Sequence, residues 1–406
     1  MKPHSTASIP RKFIDIVTVL GVITLCLLTA YCLINNDFVF IYGACFVYTA
    51  VATWCLSNAW LKNIFISLSA LLFSLATAEA VLSFAEPGEL ESERGMARYT
   101  KGYSQPLRKN DGELGYRPYP ARAVQSWKTL GNERLYDVVY TINEDGYRQT
   151  TGFIPEEDAN APIVFYGGSF AFGEGLNDDE TLPYYVGAET NWSHPVLNLA
   201  FSGYGPHQML RSLELNTLRS LGYALVDTVV YEAVPDHARR AAGEAWWDPV
   251  GPRYVLDETG IAQYHGNFND IPDKFIEIYY RYLQVVKVAR RSRVVDWLAN
   301  LLFSTPASSS AANAHLMVGI AAKSAEIVEQ DYQARFVVLF WDDESEYSSL
   351  ILKGLVEENI NIIKVSDIIP TSRINAYKIP DEGHPAATAN MLIAQGLVKR
   401  LRGDLD

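Results

Sequence analysis

Beyond residue 55 the 406-residue chain contains no cysteine: all four, Cys26, Cys32, Cys45 and Cys55, lie in its first apolar stretches. That excludes disulfide staples, cysteine-based zinc sites and a thiol nucleophile from everything downstream. The four themselves read as packing residues in an apolar setting. Basic residues are also in deficit, 34 against 47 acidic, for a formal charge of −13. Such a surface does not suit general binding of nucleic acid. Low complexity and internal repeats are absent, and at 49% hydrophobic residues the chain is far from the composition of disorder.

What is present divides unevenly along the chain. Phe13–Ile34, Phe38–Leu56 and Ile64–Phe84 are apolar stretches of 22, 19 and 21 residues, interrupted only by Asp15 and Glu79. About 20 apolar residues span a bilayer as a helix, so the sequence predicts three transmembrane helices, against two spans and a peripheral helix. A cleaved signal peptide fits less well, because the first run is long and another follows directly. Lys2, Arg11, Lys12 and Lys62 flank the ends that the positive-inside rule keeps cytoplasmic, which carries the rest of the chain outward. Glu79, near the outer end of the third stretch, reads as structural. Residues 1–84 hold four basic and three acidic residues, leaving 30 basic and 44 acidic downstream, a net charge of −14 for the exported part.

From Pro162 onward apolar, β-rich runs alternate with helix-period segments. The runs are Ile163–Tyr166, Val196–Leu199, Val226–Ala233, Phe336–Phe340 and Ile360–Val365. Continuous apolar strands separated by helices indicate a parallel sheet covered on both faces. Ligands then bind beyond the carboxyl ends of the strands. The preceding residues 86–160 are polar and carry one strand signal, Tyr136–Ile142, followed by the turn Asn143–Gly146.

Three positions after such runs carry chemistry. Gly167-Gly168-Ser169-Phe170 follows the first run, and the two glycines let the backbone turn so that Ser169 emerges exposed. It is not the G-x-S-x-G elbow, since Ala171 stands where the second glycine belongs. Asp381-Glu382-Gly383-His384-Pro385 precedes the last helix, where an Asp three residues before a His can orient the ring as a base for serine. Asn198–Gly205 follows the second run, and its glycines allow a backbone N–H to approach a developing oxyanion, although a plain strand-to-helix turn reads equally well there.

Together these residues resemble the SGNH/GDSL hydrolase family over about residues 135–403. Ser169 matches the block-one serine, Gly203 the block-two glycine, and Asp381 with His384 the C-terminal D-x-x-H; Thr141–Arg148 resembles the lead-in of bacterial members. The resemblance implies an α/β fold, a three-layer α/β/α sandwich on a five-stranded parallel sheet, here preceded by three transmembrane helices. It implies a Ser169–His384–Asp381 triad, an oxyanion held by the N–H groups of Ser169 and Gly203, and no metal or cofactor. One block departs. Pro235 occupies the position where the family carries an Asn that completes the oxyanion hole, and proline has no N–H to donate. His237 is the candidate substitute, with Arg239 or Arg240 second; a surface or capping histidine is the plainer alternative.

The expected organisation is a membrane anchor at 1–85, a linker with a strand-and-loop extension at 86–160, and an SGNH-like domain at 161–406 with an insertion at about 241–310. The insertion carries Trp246–Trp247, which suit either sugar stacking or a packed cap, and Lys274–Arg293, which suits an interfacial helix or an ordinary covering helix. The expected activity is that of an esterase on O-acyl esters outside the cytoplasmic (inner) membrane, with the C-terminal domain periplasmic or extracellular. Its expected partners are a small-molecule or glycan ester and the bilayer through residues 13–84, not nucleic acid. Acyl transfer to cell-envelope glycans, and a catalytically weakened binding module, are the alternatives.

Overall fold

The computed structural model describes residues 38–55, 59–85, 99–150, 160–245, 247–270, 292–295, 297–298 and 307–403. The chain divides into two compact units, one of Met1–Arg94 with Arg281–Ser304, the other of Gly95–Tyr280 with Thr305–Asp406.

In the first unit, helices α1 (Phe38–Cys55) and α2 (Ala59–Ala85) are apolar around their circumference. Val47, Val51, Leu71, Phe73 and Val81 stand exposed on them, a pattern suited to lipid rather than water. The helices meet through the Phe46–Phe73 ring contact and a buried hydrogen bond from Ser69 Oγ to Thr49 Oγ1, 2.8 Å. Among the described residues one helix, Ala59–Leu82, is long and apolar enough to cross a membrane. Its 24 residues reach roughly 36 Å, against a hydrocarbon core of about 30 Å.

Where the sequence predicts three spans, the described residues thus contain one helix that meets this test. Phe38–Leu56 does contain a helix, the 18-residue α1, about 27 Å long. Phe13–Ile34 lies outside the described residues. Near the far end of α2, the Glu79 carboxylate accepts hydrogen bonds from Ser292 Oγ (2.7 Å) and from the N–H groups of Arg293 (2.7 Å) and Val294 (3.0 Å). Arg293 Nη1 also donates to Leu82 O at 2.8 Å. Glu79 thus satisfies orphan donors where residues 293–295 turn helical, the role a capping carboxylate performs.

The second unit begins with a sheet the sequence only hinted at. Strands β1 (Tyr99–Tyr103), β4 (Arg122–Leu130) and β5 (Glu133–Ile142) form an antiparallel sheet in the order β1-β4-β5, and β2 (Arg108–Asp111) pairs with β3 (Gly115–Pro118). Five strands therefore occupy 99–142, where hydrophobic patterning predicts one. Tyr136, Val138, Tyr140 and Ile142 alternate inward and pack on Ala171, Phe172, Phe201 and Tyr204. Arg148, 1% exposed, joins this sheet to the next element: its backbone bridges Ile142 and Asn198, and its guanidinium lies over Tyr140 and Phe172 and bonds Asp178 at 2.7 Å. Burial lowers its pKa against the opposing pull of Asp178.

The five apolar runs form the parallel sheet: β6 (Ile163–Gly167), β7 (Val196–Asn198), β8 (Thr228–Ala233), β11 (Arg335–Phe340) and β12 (Asn361–Lys364), in the order β12-β11-β8-β6-β7. The hairpin β9 (Pro252–Leu256) and β10 (Ala262–Asn267) lies between β8 and β11 in sequence. Side chains alternate across the sheet. Val164, Tyr166, Val229, Tyr231, Val338 and Phe340 pack on helices Pro206–Glu214, Ala307–Tyr332 and Glu346–Glu357. Ile163, Phe165, Val230, Val337 and Leu339 pack on helices Leu182–Glu189 and Ala387–Leu401. Apolar area is removed from water on both faces, which is why these strands read as unbroken hydrophobic runs. Of the segment Lys274–Arg293, expected as a helix, only 292 and 293 are described.

Candidate active site

β6 ends at Gly167, and the chain turns at Gly168 into the single-turn helix α3 (Ser169–Phe172). A side chain on Gly168 would lie 2.8 Å from His237 Nε2 and 2.9 Å from Arg240 Nη1, so only glycine fits between these groups and Ser169. Ser169 Oγ lies 2.7 Å from His384 Nε2. The ring is 5.3 Å from Phe170 in an edge contact, and Phe170 in turn packs edge-on against Trp341.

The acid on the other side of the ring is Glu382, which corrects the expected Asp381. His384 Nδ1 lies 2.8 Å from both Glu382 carboxylate oxygens, and the His384 N–H donates to Oε2 at 2.9 Å. The cause is the turn: the N–H groups of Glu382 and Gly383 both reach Ile379 O, and Asp381 sits at the tip with φ +54, exposed, its carbonyl accepting from Tyr99 Oη. Only the next side chain folds back under the imidazole. Burial opposes ionisation of Glu382, yet the hydrogen bonds from His384 and Lys128 (3.0 Å) outweigh it and hold the carboxyl below its usual range.

A second carboxylate lies beside the first. Glu174 is buried; burial would raise its pKa, but the charge of its ion pair with Lys101 and the neighbouring His384 bring it down to about 2. Its Oε2 accepts from Ser202 Oγ at 2.7 Å. Glu174, Glu382 and His384 present ligand atoms within 4.8 Å of one another. Their atoms are nevertheless committed: each carboxylate to a lysine from the N-terminal sheet, and the imidazole to Ser169 and Glu382. The cluster is an ion-pair network around the histidine, not an open ligand set.

Gly203 has φ +87 in the turn Phe201–Tyr204, closed by Tyr204 N–H to Phe201 O at 3.0 Å. Its own N–H meets no backbone acceptor among the described residues, and Phe201 N–H ties the turn to Gly167 O at 3.3 Å. His237 begins the helix that follows β8, is 2% exposed, and lies against Gly168 as noted. Its Nδ1 is 2.7 Å from Tyr231 Oη. Burial, with the charges of Arg240 and His207, pushes its pKa well below the usual value and keeps the ring neutral. Arg240 spends Nη1 on Tyr204 O and Nε on Asp236, and Arg239 pairs outward with Glu244. Trp247 donates to Gly203 O at 3.2 Å; Trp246 lies outside the described residues.

The structure therefore places Ser169, Gly203 and His237 beyond the carboxyl ends of β6, β7 and β8, with His384 on Ser169, and leaves the Asp381 side chain out. Glu382, Glu174, Lys101 and Lys128 escaped the sequence reading. Glu382 lay inside a motif already singled out and Glu174 four residues beyond another, whereas nothing in a polar segment marks Lys101 or Lys128 as reaching a distant loop.

No protein-family profile matches the chain, and no curated protein does. Solved structures do align with it. They include TesA (13% identity, covering 60% of this chain and 99% of that one, TM-score 0.35) and the esterase EstA from Pseudoalteromonas sp. (12%, 60% and 96%, 0.31). A carbohydrate acetylesterase family member from Sinorhizobium meliloti aligns at 12% identity, covering 60% of this chain and 100% of its own, with a TM-score of 0.30.

Proposed function

We propose that the chain is a membrane-anchored serine esterase acting on O-acyl esters. The observation that carries this is the line Ser169 Oγ–His384 Nε2–Glu382, in which nucleophile, base and orienting carboxylate are each within hydrogen-bond reach. His384 Nε2 takes the Ser169 proton as Oγ attacks the acyl carbon, and the carbonyl electron pair moves to oxygen. Collapse expels the alcohol, which leaves with that proton. Water, deprotonated by the same nitrogen, then releases the acid and restores Ser169. Glu382 fixes the ring and stabilises its protonated form; Lys128 and the Lys101–Glu174 pair hold the carboxylates in place.

The oxyanion donors in this reading are the N–H groups of Ser169 and Gly203, with His237 Nε2–H in place of the side chain that Pro235 removes. Tyr231 Oη donating to Nδ1 leaves the proton of the neutral ring on Nε2, the atom beside Gly168. Ala59–Leu82 is the proposed anchor. Lys2, Arg11, Lys12 and Lys62 all fall at or before its start, which supports an exported catalytic unit.

Purified full chain in detergent tests this with p-nitrophenyl acetate and a fluorophosphonate probe. Wild type turns over the ester and is labelled at Ser169, and Ser169→Ala loses both. An unlabelled, inactive wild type points instead to a binding module. Supplying a glycan acceptor and comparing acylated sugar with free acid measures how much of the acyl-enzyme goes to a hydroxyl other than water.

A further inference from the structure

Three consecutive carbonyls of the turn that carries Gly203 are each held by a side chain from a different element. Tyr116 Oη donates to Ser202 O at 2.9 Å, Trp247 Nε1 to Gly203 O at 3.2 Å, and Arg240 Nη1 to Tyr204 O at 2.9 Å. The first of these bears on the direction of one N–H group. Tyr204 N–H to Phe201 O closes the turn, Gly203 has φ +87, and Ser202 is not among the residues with positive φ. That combination is a type II turn.

Types I and II differ by a flip of the central peptide, here Ser202–Gly203. Because a trans peptide points its C=O and N–H in opposite directions, the group that holds Ser202 O also aims the Gly203 N–H. In the type I alternative that N–H would point the other way. Within the turn nothing chooses strongly between the two, so the choice falls to what the carbonyl finds. It finds Tyr116, whose ring is fixed by edge and tilted contacts to Tyr204 (5.2 Å) and Phe201 (5.7 Å) and is 4% exposed. Burial raises the phenol's pKa far above its ordinary value, so the hydroxyl stays protonated and donates.

We propose that Tyr116 is a positioning residue for the oxyanion site: its hydroxyl locks the Ser202–Gly203 peptide so that the Gly203 N–H faces the reacting carbonyl. This rests on the esterase reading and deepens it. Tyr116 comes from the β2–β3 hairpin, which links the N-terminal sheet to the chemistry of the parallel sheet. The hydroxyl acts only through the peptide, so its loss should weaken the tetrahedral state more than substrate binding.

The test is Tyr116→Phe in the full chain, assayed with p-nitrophenyl acetate and with an arylboronic acid that mimics the tetrahedral oxyanion. The expected result is a loss of about 10- to 100-fold in kcat, below the loss of about 10²–10³ seen when a single donor is removed outright. KM should stay within about twofold and boronate affinity should fall in step with kcat/KM. 4-Aminophenylalanine at position 116 restores an N–H donor and should recover most of kcat. Should Tyr116→Phe fail to fold, 4-methylphenylalanine, which keeps the shape without the donor, takes its place in that comparison. Unchanged kcat and boronate affinity with Ser169 still labelled overturn the proposal alone, as does a loss that the amino analogue fails to rescue. A wild type that does not label at Ser169 overturns the esterase reading with it.

Discussion

Replacing Glu232 by Gln should stabilise the protein in alkaline but not acidic solution. Glu232 lies at the end of β8, 1% exposed. Its Oε1 accepts the Trp341 indole N–H at 2.6 Å, while Oε2 has no partner among the described residues. Burial pushes its pKa up from 4.5 to about 7, and the indole bond only partly offsets this. Between those two values the folded state keeps the proton and the unfolded state has lost it, so stability falls as pH rises through this window. A gap of about 2.5 pH units corresponds to about 3 kcal/mol, fully felt by pH 8 and mostly absent at pH 5. Gln keeps the acceptor for Trp341 and removes the titration. Wild type should therefore lose about 2 to 3 kcal/mol relative to Glu232→Gln between pH 5 and pH 8, by denaturant unfolding followed through tryptophan fluorescence. Any pH-independent effect of the substitution cancels in that comparison. An equal shift at both pH values would refute the assignment of a buried, half-satisfied carboxyl.

Other outcomes concern the site itself. Glu382→Gln should lower kcat by about 10³- to 10⁴-fold, as expected when the orienting carboxylate is lost and the histidine tautomer with it, while Asp381→Asn stays near wild type; equal losses would restore Asp381 to the triad. His237→Ala should cost about 10²- to 10³-fold in kcat with the fold retained by circular dichroism, and an unaffected kcat would return His237 to a packing role.

The parallel sheet and the position of Ser169 beyond it were legible because their physics is local. A strand buried on both faces must be apolar throughout, and a serine beyond two glycines marks its carboxyl end. The partner of His384 was not legible, because Asp381 and Glu382 differ by one step around a tight turn. Composition cannot say which carboxylate the turn returns to the ring. Strands β1 to β4 hid for another reason: Arg108–Asp111 is wholly polar, and Tyr99–Tyr103 gains its place only through pairing with Ser126–Leu130.

Because Arg281–Ser304 belongs to the same compact unit as Met1–Arg94, the polypeptide passes between the two units three times, after residues 94, 280 and 304. A protease that nicks the chain near residue 94 would therefore not set the second unit free. A recombinant form beginning at residue 95 would keep 281–304 while losing the helix that satisfies it. The N–H groups of Arg293 and Val294 would lose the Glu79 carboxylate, and Val294, 6% exposed, would lose its shelter. Trp297 and Leu298, already exposed, would add to a sticky patch. Isolating the second unit calls for two excisions rather than one, with 281–304 replaced by a short polar linker.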